Sequence, residues 1–385
     1  MKICYINYEK YGGGSWVHTT QFIAALKEIH DDVVVHTPLA RQDAPEDDEQ
    51  ESQESFSNIL NHLREIRLLV VMFTRQAAAE FRLLKKERPD VVILRMARYR
   101  SAVLLCRLLK IPLVLEINAP PMEDQFMPKE QQLRGKSFWA LVDKKIMGLA
   151  THNMVVSETL RQHYITCGIS AEKISSVPNG VDPQVFHPDI SGNRIREQLG
   201  LQNKTVVGFS GSFAPWHGLP LLAEAIELIC ESNQYEELAL LLIGEPSDIL
   251  EMPDFPAAVT TITGHVPHED IPEYLAVIDI FVAPYPKITP FYFSPLKIFE
   301  AMALGKSVIS SAQGQICELI TDNVSGLLYP PGDQAALVEQ IQRLMTDIQL
   351  RHELGKNARK VMEDNFTWKD NAGRMLKLCQ DAVAQ

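Results

Sequence analysis

The chain has 385 residues, 46% of them hydrophobic and 22% charged, and a formal net charge of -12. That length exceeds one ordinary core and points to two domains, while the acidic balance argues against nucleic acid as a partner of the whole molecule. Cys4, Cys106, Cys167, Cys230, Cys317 and Cys379 are scattered, with no Cys-x-x-Cys pair. Their spacing speaks against a zinc site or a disulfide framework and suits a reducing cytosol.

From Met1 to Tyr8 one lysine precedes a short apolar strand, without the longer apolar core of a signal peptide. No apolar run approaches the ~20 residues that span a bilayer, so a cytoplasmic location is expected. Lys2–Asn7 reads as a buried strand, followed by the turn Gly12-Gly13-Gly14 and a helix from about Ser15 with Phe22, Ile23 and Leu26 on one face. Val33–His36 is the next strand. Gln42 to Ser57 is polar and acidic and reads as an exposed loop. Helical pattern returns from Ile59 to Lys86. Val91–Leu94 and Leu113–Ile117 are strands introduced by prolines, and Asn153–Ser157 follows another helix. Strands separated by helices imply a parallel sheet with crossovers.

The segment Val177-Pro178-Asn179-Gly180-Val181-Asp182-Pro183 is dense in turn residues and marks a domain boundary. A second series then runs through Thr205–Ser210, Ala239–Ile243, Thr260–Thr263, Ile280–Ala283 and Ser307–Ser310. The expected class is α/β, with two doubly wound Rossmann-like domains facing a central cleft. Ligands of such sheets sit at the carboxyl ends of the strands.

Three segments carry candidate chemistry. The glycine turn lets backbone N–H groups approach an anion at a helix start, although a tight turn without ligand has the same composition. Val17 stands where a dinucleotide fingerprint needs its third glycine. His18, one turn in, either faces the cleft or packs. Gly208–Gly218 repeats the pattern of strand, small-residue loop and helix, and is a second candidate phosphate site. In Phe293–Met302, Lys297 and Glu300 stand three apart on one helix face. The lysine suits a phosphate and the glutamate the two hydroxyls of a ribose; the same spacing also makes a surface ion pair. Separately, Leu60 to Lys145 holds 17 Lys and Arg against 9 Asp and Glu. That excess fits either solvated helix faces or contact with an anionic membrane surface.

In its second half the chain resembles the retaining glycosyltransferases of family 4, with GT-B architecture. The resemblance rests on Val177–Asp182, Gly208–Gly218, Leu242–Gly244, Gly264–Pro267, Asp279–Pro284, Ser294–Pro331 and Phe366–Trp368, in order along the chain. The first half adds the glycine turn, Leu115–Pro120 and Val155–Glu158. The resemblance implies an acceptor-side domain over 1–182, a linker over 183–197, a nucleotide-sugar domain over 198–366 and a helix over 367–385 that crosses back. It further implies that Glu300 holds the nucleotide ribose and that Ser294, Pro295 and Leu296 cup the donor's sugar and diphosphate. Val266 would lie beside the base, and Gly13 and Gly14 would approach the diphosphate or acceptor.

Several positions depart from the family pattern. Ser212 and His217 stand where an Arg and a Lys usually bind the diphosphate, Tyr292 where the first of two glutamates is usual, and Asn118 where an active-site histidine is usual. Lys297, with protonated His217 as rival, is then the expected source of positive charge for a nucleotide-diphosphate leaving group, and His18 and Glu116 are acceptor-side candidates. The expected activity is a metal-independent hexosyl transfer, with retention, from a nucleotide-diphosphate sugar to a glycan, lipid-linked or small-molecule acceptor, without a resident cofactor. A non-catalytic sugar-nucleotide binder or scaffold and a nucleotide-sugar epimerase are the alternative readings.

Overall fold

The computed structural model describes residues 1–8, 14–38, 74–95, 101–119, 136–232, 237–245 and 252–385, with residues 14, 15 and 136–140 described by backbone alone. The loop over 42–57 and Gly13 lie outside the described residues.

The first half runs β1 (Ile3–Ile6), α1 (Gly14–Ile29), β2 (Val33–His36), α2 (74–87), β3 (Val91–Arg95), α3 (Ser101–Leu109), β4 (Leu113–Ile117), α4 (Lys136–Leu149), β5 (His152–Val155), α5 (Glu158–Thr166) and β6 (Ile174–Ser176). After α6 (Asn193–Leu199) come β7 (Thr205–Ser210), α7 (Leu219–Glu231), β8 (Leu238–Ile243), β9 (Thr260–Ile262), α8 (Ile271–Val277), β10 (Ile280–Ala283) and α9 (Leu296–Ala303). β11 (Ser307–Ser311), α10 (Ile316–Leu319), β12 (Leu327–Tyr329), α11 (Gln334–Thr346), α12 (Ile348–Asn365) and α13 (Trp368–Ala384) complete the chain.

Two six-stranded parallel sheets result, ordered β2-β1-β3-β4-β5-β6 and β12-β11-β10-β7-β8-β9. The short strands β6 and β12 are additions to the strands legible from sequence. The central strands, such as β1, β3, β8 and β10, are buried on both faces, as crossover helices require. In β1, Ile3 and Tyr5 join one apolar cluster with Phe22 and Leu26 of α1, whereas Cys4 and Ile6 join another with Leu84, Val103 and Met147. In β10, Ile280 and Val282 face one side and Phe281 and Ala283 the other.

Strand order reverses between β1 and β3 in the first sheet and between β7 and β10 in the second. At such a switch point adjacent loops diverge and leave a crevice. The chain crosses between the sheets twice, and the crossings are stitched together. Val181 N–H donates to Phe366 O at 2.9 Å and Trp368 N–H to Val181 O at 3.2 Å. Helix α13 then packs on α1, with Trp368, Ala372, Met375 and Cys379 buried in the first sheet's cluster. Thr367 and Asp370 form a capping box that starts this helix at the crossing. Tyr292, carried by the loop after β10, is buried against the first half, and Ser157 Oγ donates to its carbonyl at 3.2 Å. Gln315 Nε2 donates to Val156 O at 2.6 Å. Among the described residues no helix is long and apolar enough to cross a membrane.

Candidate functional site

The crevice between the halves is lined by Val17 and Gln21 of α1, Gly180 of the first crossing, Trp368 of the second, and Leu296 and Glu300 of α9. Each sheet delivers one polar cluster towards it.

On the first sheet, Glu116 near the end of β4 is fully buried. Its Oε1 accepts from Arg95 Nη1 at 2.9 Å and from Asn118 Nδ2 at 2.9 Å, and lies 3.0 Å from His18 Nε2. Its Oε2 accepts from Tyr5 Oη at 3.0 Å. Burial works against the charge, but Arg95, His18 and Asn118 together hold the carboxyl down at about 2. A carboxylate so satisfied is a weak base, so Glu116 is an anchor that fixes its neighbours. His18 is held below its ordinary value by burial and by Arg95, against the pull of Glu116. Its ring is therefore neutral at pH 7 and donates from Nε2 to the carboxylate, with Trp368 edge-on at 5.1 Å. His18, Glu116 and Asn118 thus come together in one cluster, which the sequence left as separate points. Tyr5 and Arg95 complete it.

On the second sheet, α9 starts in the crevice with Pro295 as its N-cap and no side chain capping it. Uncapped N–H groups at a helix start attract an anion. Asn179 of the first crossing holds the preceding loop, with its N–H 3.3 Å from Ser294 Oγ and its Nδ2 donating to Ser294 O at 2.9 Å. One turn into α9, the Lys297 amine is shut off from solvent without a hydrogen-bond partner and lies 4.1 Å above the centre of the Phe209 ring. Burial pushes its pKa well below the usual lysine value, with Glu300 pulling the other way. A surface ion pair with Glu300 is not what the chain forms. Glu300 instead faces His268, Oε1 to Nε2 at 3.7 Å.

The Gly208–Gly218 loop closes over Lys297. Gly211 has φ +129°, and a Cβ there would sit 2.5 Å from Lys297 Nζ, so glycine is what lets backbone and amine approach. His217 Nδ1 donates to the carbonyl of Ser212, which leaves Nε2 as an acceptor. Burial and the adjacent Lys297 push the His217 pKa well down, the Ser212 carbonyl opposing. In the unliganded protein His217 is therefore neutral, and Lys297 is the cationic candidate at this spot. Ser212 itself is exposed, and Val266 packs from the loop after β9 against the core that carries α9. Gly14 opens α1. No group of three or more metal-ligating side chains is found among the described residues.

Two buried histidines with lowered pKa values make stability depend on acid. The unfolded chain binds protons near pH 6.5 that the folded one refuses, so stability falls as pH drops through that value, by up to ~1.4 kcal/mol per pH unit for each proton. We expect the melting temperature to fall from pH 7 to pH 5 and the slope to flatten in His217→Gln. A slope identical to wild type would mean that His217 titrates normally in the folded state.

Two Rossmann-like α/β domains meeting over a crevice fit the GT-B architecture. Family models agree, half by half. Residues 12–185 match Glycosyltransferase Family 4, and residues 204–347 match Glycosyl transferases group 1. Each half carries a glycosyltransferase domain, and together they indicate an enzyme of GT-B architecture.

Among curated relatives, the chain is 27% identical over 262 residues to the putative glycosyltransferase YtcC of Bacillus subtilis, covering 62% of each. It is 25% identical to alpha-maltose-1-phosphate synthase of Mycolicibacterium smegmatis, covering 97% of this chain and 96% of that one. For several other relatives the match spans less of their length, down to 46% for the amylovoran biosynthesis glycosyltransferase AmsK of Erwinia amylovora. The crystal structure of Anabaena HepE in complex with UDP and glucose superposes with a TM-score of 0.71 at 17% identity, covering 99% of this chain and 100% of that one. At that identity the likeness speaks for the fold.

Proposed function

We propose that the protein transfers a hexosyl group, with retention and without a metal, from a nucleoside-diphosphate sugar to an acceptor held on the first domain. The observation that carries this reading is the buried, unpartnered Lys297 amine one turn into the uncapped helix α9. Burial without a partner works against the charge on this amine, and an anion arriving beside it favours the protonated, cationic form. The diphosphate sits between Lys297 and the start of α9, and Glu300 takes the ribose hydroxyls. As the sugar bond breaks, charge grows on the leaving phosphate, where Lys297 and the helix N–H groups stabilise it most. UDP in the HepE complex supports a uridine donor as the first to try.

Glu300→Ala is expected to weaken nucleoside-diphosphate binding by roughly 1–3 kcal/mol, the scale of a charged hydrogen-bond partner. Titration calorimetry with UDP and GDP reads this directly, and unchanged affinity would take Glu300 out of the site.

The acceptor side extends to an anionic lipid surface. Leu104 and Leu108 of α3 and Leu141 of α4 are 52%, 72% and 51% exposed, and these two helices pack on each other. Arg82, Lys85, Arg107, Lys144 and Lys145 stand exposed on α2, α3 and α4, and Lys110 directly after α3. Exposed leucines among cations suit a peripheral contact with acidic headgroups at the cytoplasmic face, each cation adding about 1 kcal/mol. Vesicles containing phosphatidylglycerol should sediment the protein and neutral vesicles should not, with the difference lost in Leu104→Ser/Leu108→Ser. Equal sedimentation by both vesicle types would end the membrane part of the reading.

A further inference from the structure

Besides the Lys297 amine, the crevice holds a second nitrogen without a partner. His268 stands in the turn between β9 and α8, where Asp270 N–H donates to Pro267 O at 2.9 Å and Ile271 N–H to His268 O at 3.3 Å. Its side chain lines the crevice together with Phe186, Leu296 and Glu300. Nε2 is shut off from solvent and finds no hydrogen-bond partner among the described residues. Glu300 Oε1 lies 3.7 Å from it, beyond the roughly 3.2 Å reach of an N–H···O bond. The two side chains are nevertheless 37% and 15% exposed, so a ligand in the crevice can reach the pair. The ring is held from the linker side. Phe186 packs against it at 6.2 Å in a T-shaped contact, and Arg359 donates to the carbonyls of Phe186 and Pro183, which fixes that segment.

We propose that His268 is a further donor-contacting residue, which joins Glu300 in clamping the ribose hydroxyls of the nucleotide and makes the site discriminate ribose from deoxyribose. This rests on the reading of α9 as the donor helix and of Glu300 as the ribose ligand. An ordinary ion pair would have closed to about 2.8 Å, whereas atoms 3.7 Å apart can both stand about 2.8 Å from one hydroxyl oxygen. A vicinal diol suits either tautomer of the ring. With a proton on Nε2, one hydroxyl accepts from the ring and donates to the carboxylate. With Nε2 bare, one hydroxyl donates to it and its neighbour donates to Glu300. A phosphate fits this spot poorly, because the Glu300 carboxylate repels it, and an apolar group would leave Nε2 unmet. Sites built to hydrogen-bond a hydroxyl reject the analogue that lacks it, since their own buried polar atoms are then left unpaired.

His268→Phe keeps a ring against Phe186 and removes both nitrogens. Titration calorimetry is run with UDP or GDP, whichever wild type binds, and with its 2′-deoxy and 3′-deoxy forms. Wild type should bind at least one deoxy form about tenfold more weakly than the ribonucleotide, the scale of one hydrogen bond. His268→Phe should bind the ribonucleotide about tenfold more weakly than wild type does, yet bind that deoxy form within about twofold of wild type. The discrimination thus collapses from one side. Thermal melting checks folding, and His268→Leu takes the place of His268→Phe if the latter does not fold.

Equal weakening of ribonucleotide and deoxynucleotide would mean that His268 only supports the fold of the loop, and would overturn the proposal. So would unchanged affinity of His268→Phe for the ribonucleotide, or a wild type indifferent to both deoxy forms. Failure of the donor reading looks different. Lys297→Met and Glu300→Ala would then bind UDP and GDP as wild type does, whatever His268→Phe shows.

Discussion

Lys297→Met lowers kcat by about 10²–10³, the expected loss when one preorganised electrostatic donor to a developing negative charge is removed. Methionine keeps the stem over Phe209 and deletes the charge, so folding is preserved while the leaving diphosphate loses its nearest side-chain cation. The donor KM changes less than kcat, because the uncapped start of α9 still binds the ground-state diphosphate. Single-turnover donor cleavage in the presence of EDTA checks the size of the effect and the absence of a metal requirement together. His217→Gln should cost less than Lys297→Met at pH 8, since the His217 ring is already neutral beside Lys297. A wild-type rate for Lys297→Met would leave the diphosphate to backbone amides alone.

Glu116→Ala is expected to destabilise the protein by about 3–5 kcal/mol, because it removes a buried counter-charge from the Arg95 guanidinium and strips His18, Asn118 and Tyr5 of their shared acceptor. Arg95 is 4% exposed and cannot turn to water without moving the end of β3. Denaturant unfolding measures this. Glu116→Gln should be milder and should show the pH signature of the charge. The carboxyl, held at about 2 in the folded state, contributes stability that is fully present above the unfolded value near 4.3 and is lost as pH falls towards 2. The gap between wild type and Glu116→Gln therefore narrows in acid. A gap that stayed constant from pH 6 to pH 3 would mean that Glu116 is not ionised in the folded protein.

Much of the fold was readable because parallel strands buried on both faces are short apolar runs set between turn residues, as in Val91–Leu94 and Ile280–Ala283. β6 and β12 escaped that reading. Each is three residues long, and β6 is Ile-Ser-Ser, too short for a period of two to register. The donor helix was legible because Lys297 and Glu300 are local to each other. The first cluster was not, because Tyr5, His18, Arg95 and the Glu116–Asn118 stretch come from four separate segments and meet only through the sheet. Arg95 left one local signal, a charge at the end of the apolar strand Val91–Arg95, where an interior cation needs a buried partner. Asn179 looked like a turn residue, which it is. That its amide holds the Ser294 loop follows only from the crossing of the chain between the sheets. The spacing of Lys297 and Glu300 suggested that they share one helix face, yet the amine turns under Gly211 and the carboxylate towards His268.

The most direct test is titration calorimetry of UDP and GDP into wild type and Lys297→Met at low ionic strength in EDTA. Wild type should bind one of the two nucleotides without added metal, and Lys297→Met should bind it about 10- to 150-fold more weakly, in line with the ~1.5–3 kcal/mol of a charge-assisted hydrogen bond. Equal affinity of the two proteins, or binding by wild type only after Mg²⁺ or Mn²⁺ is restored, would contradict a metal-free donor site built on α9 and Lys297.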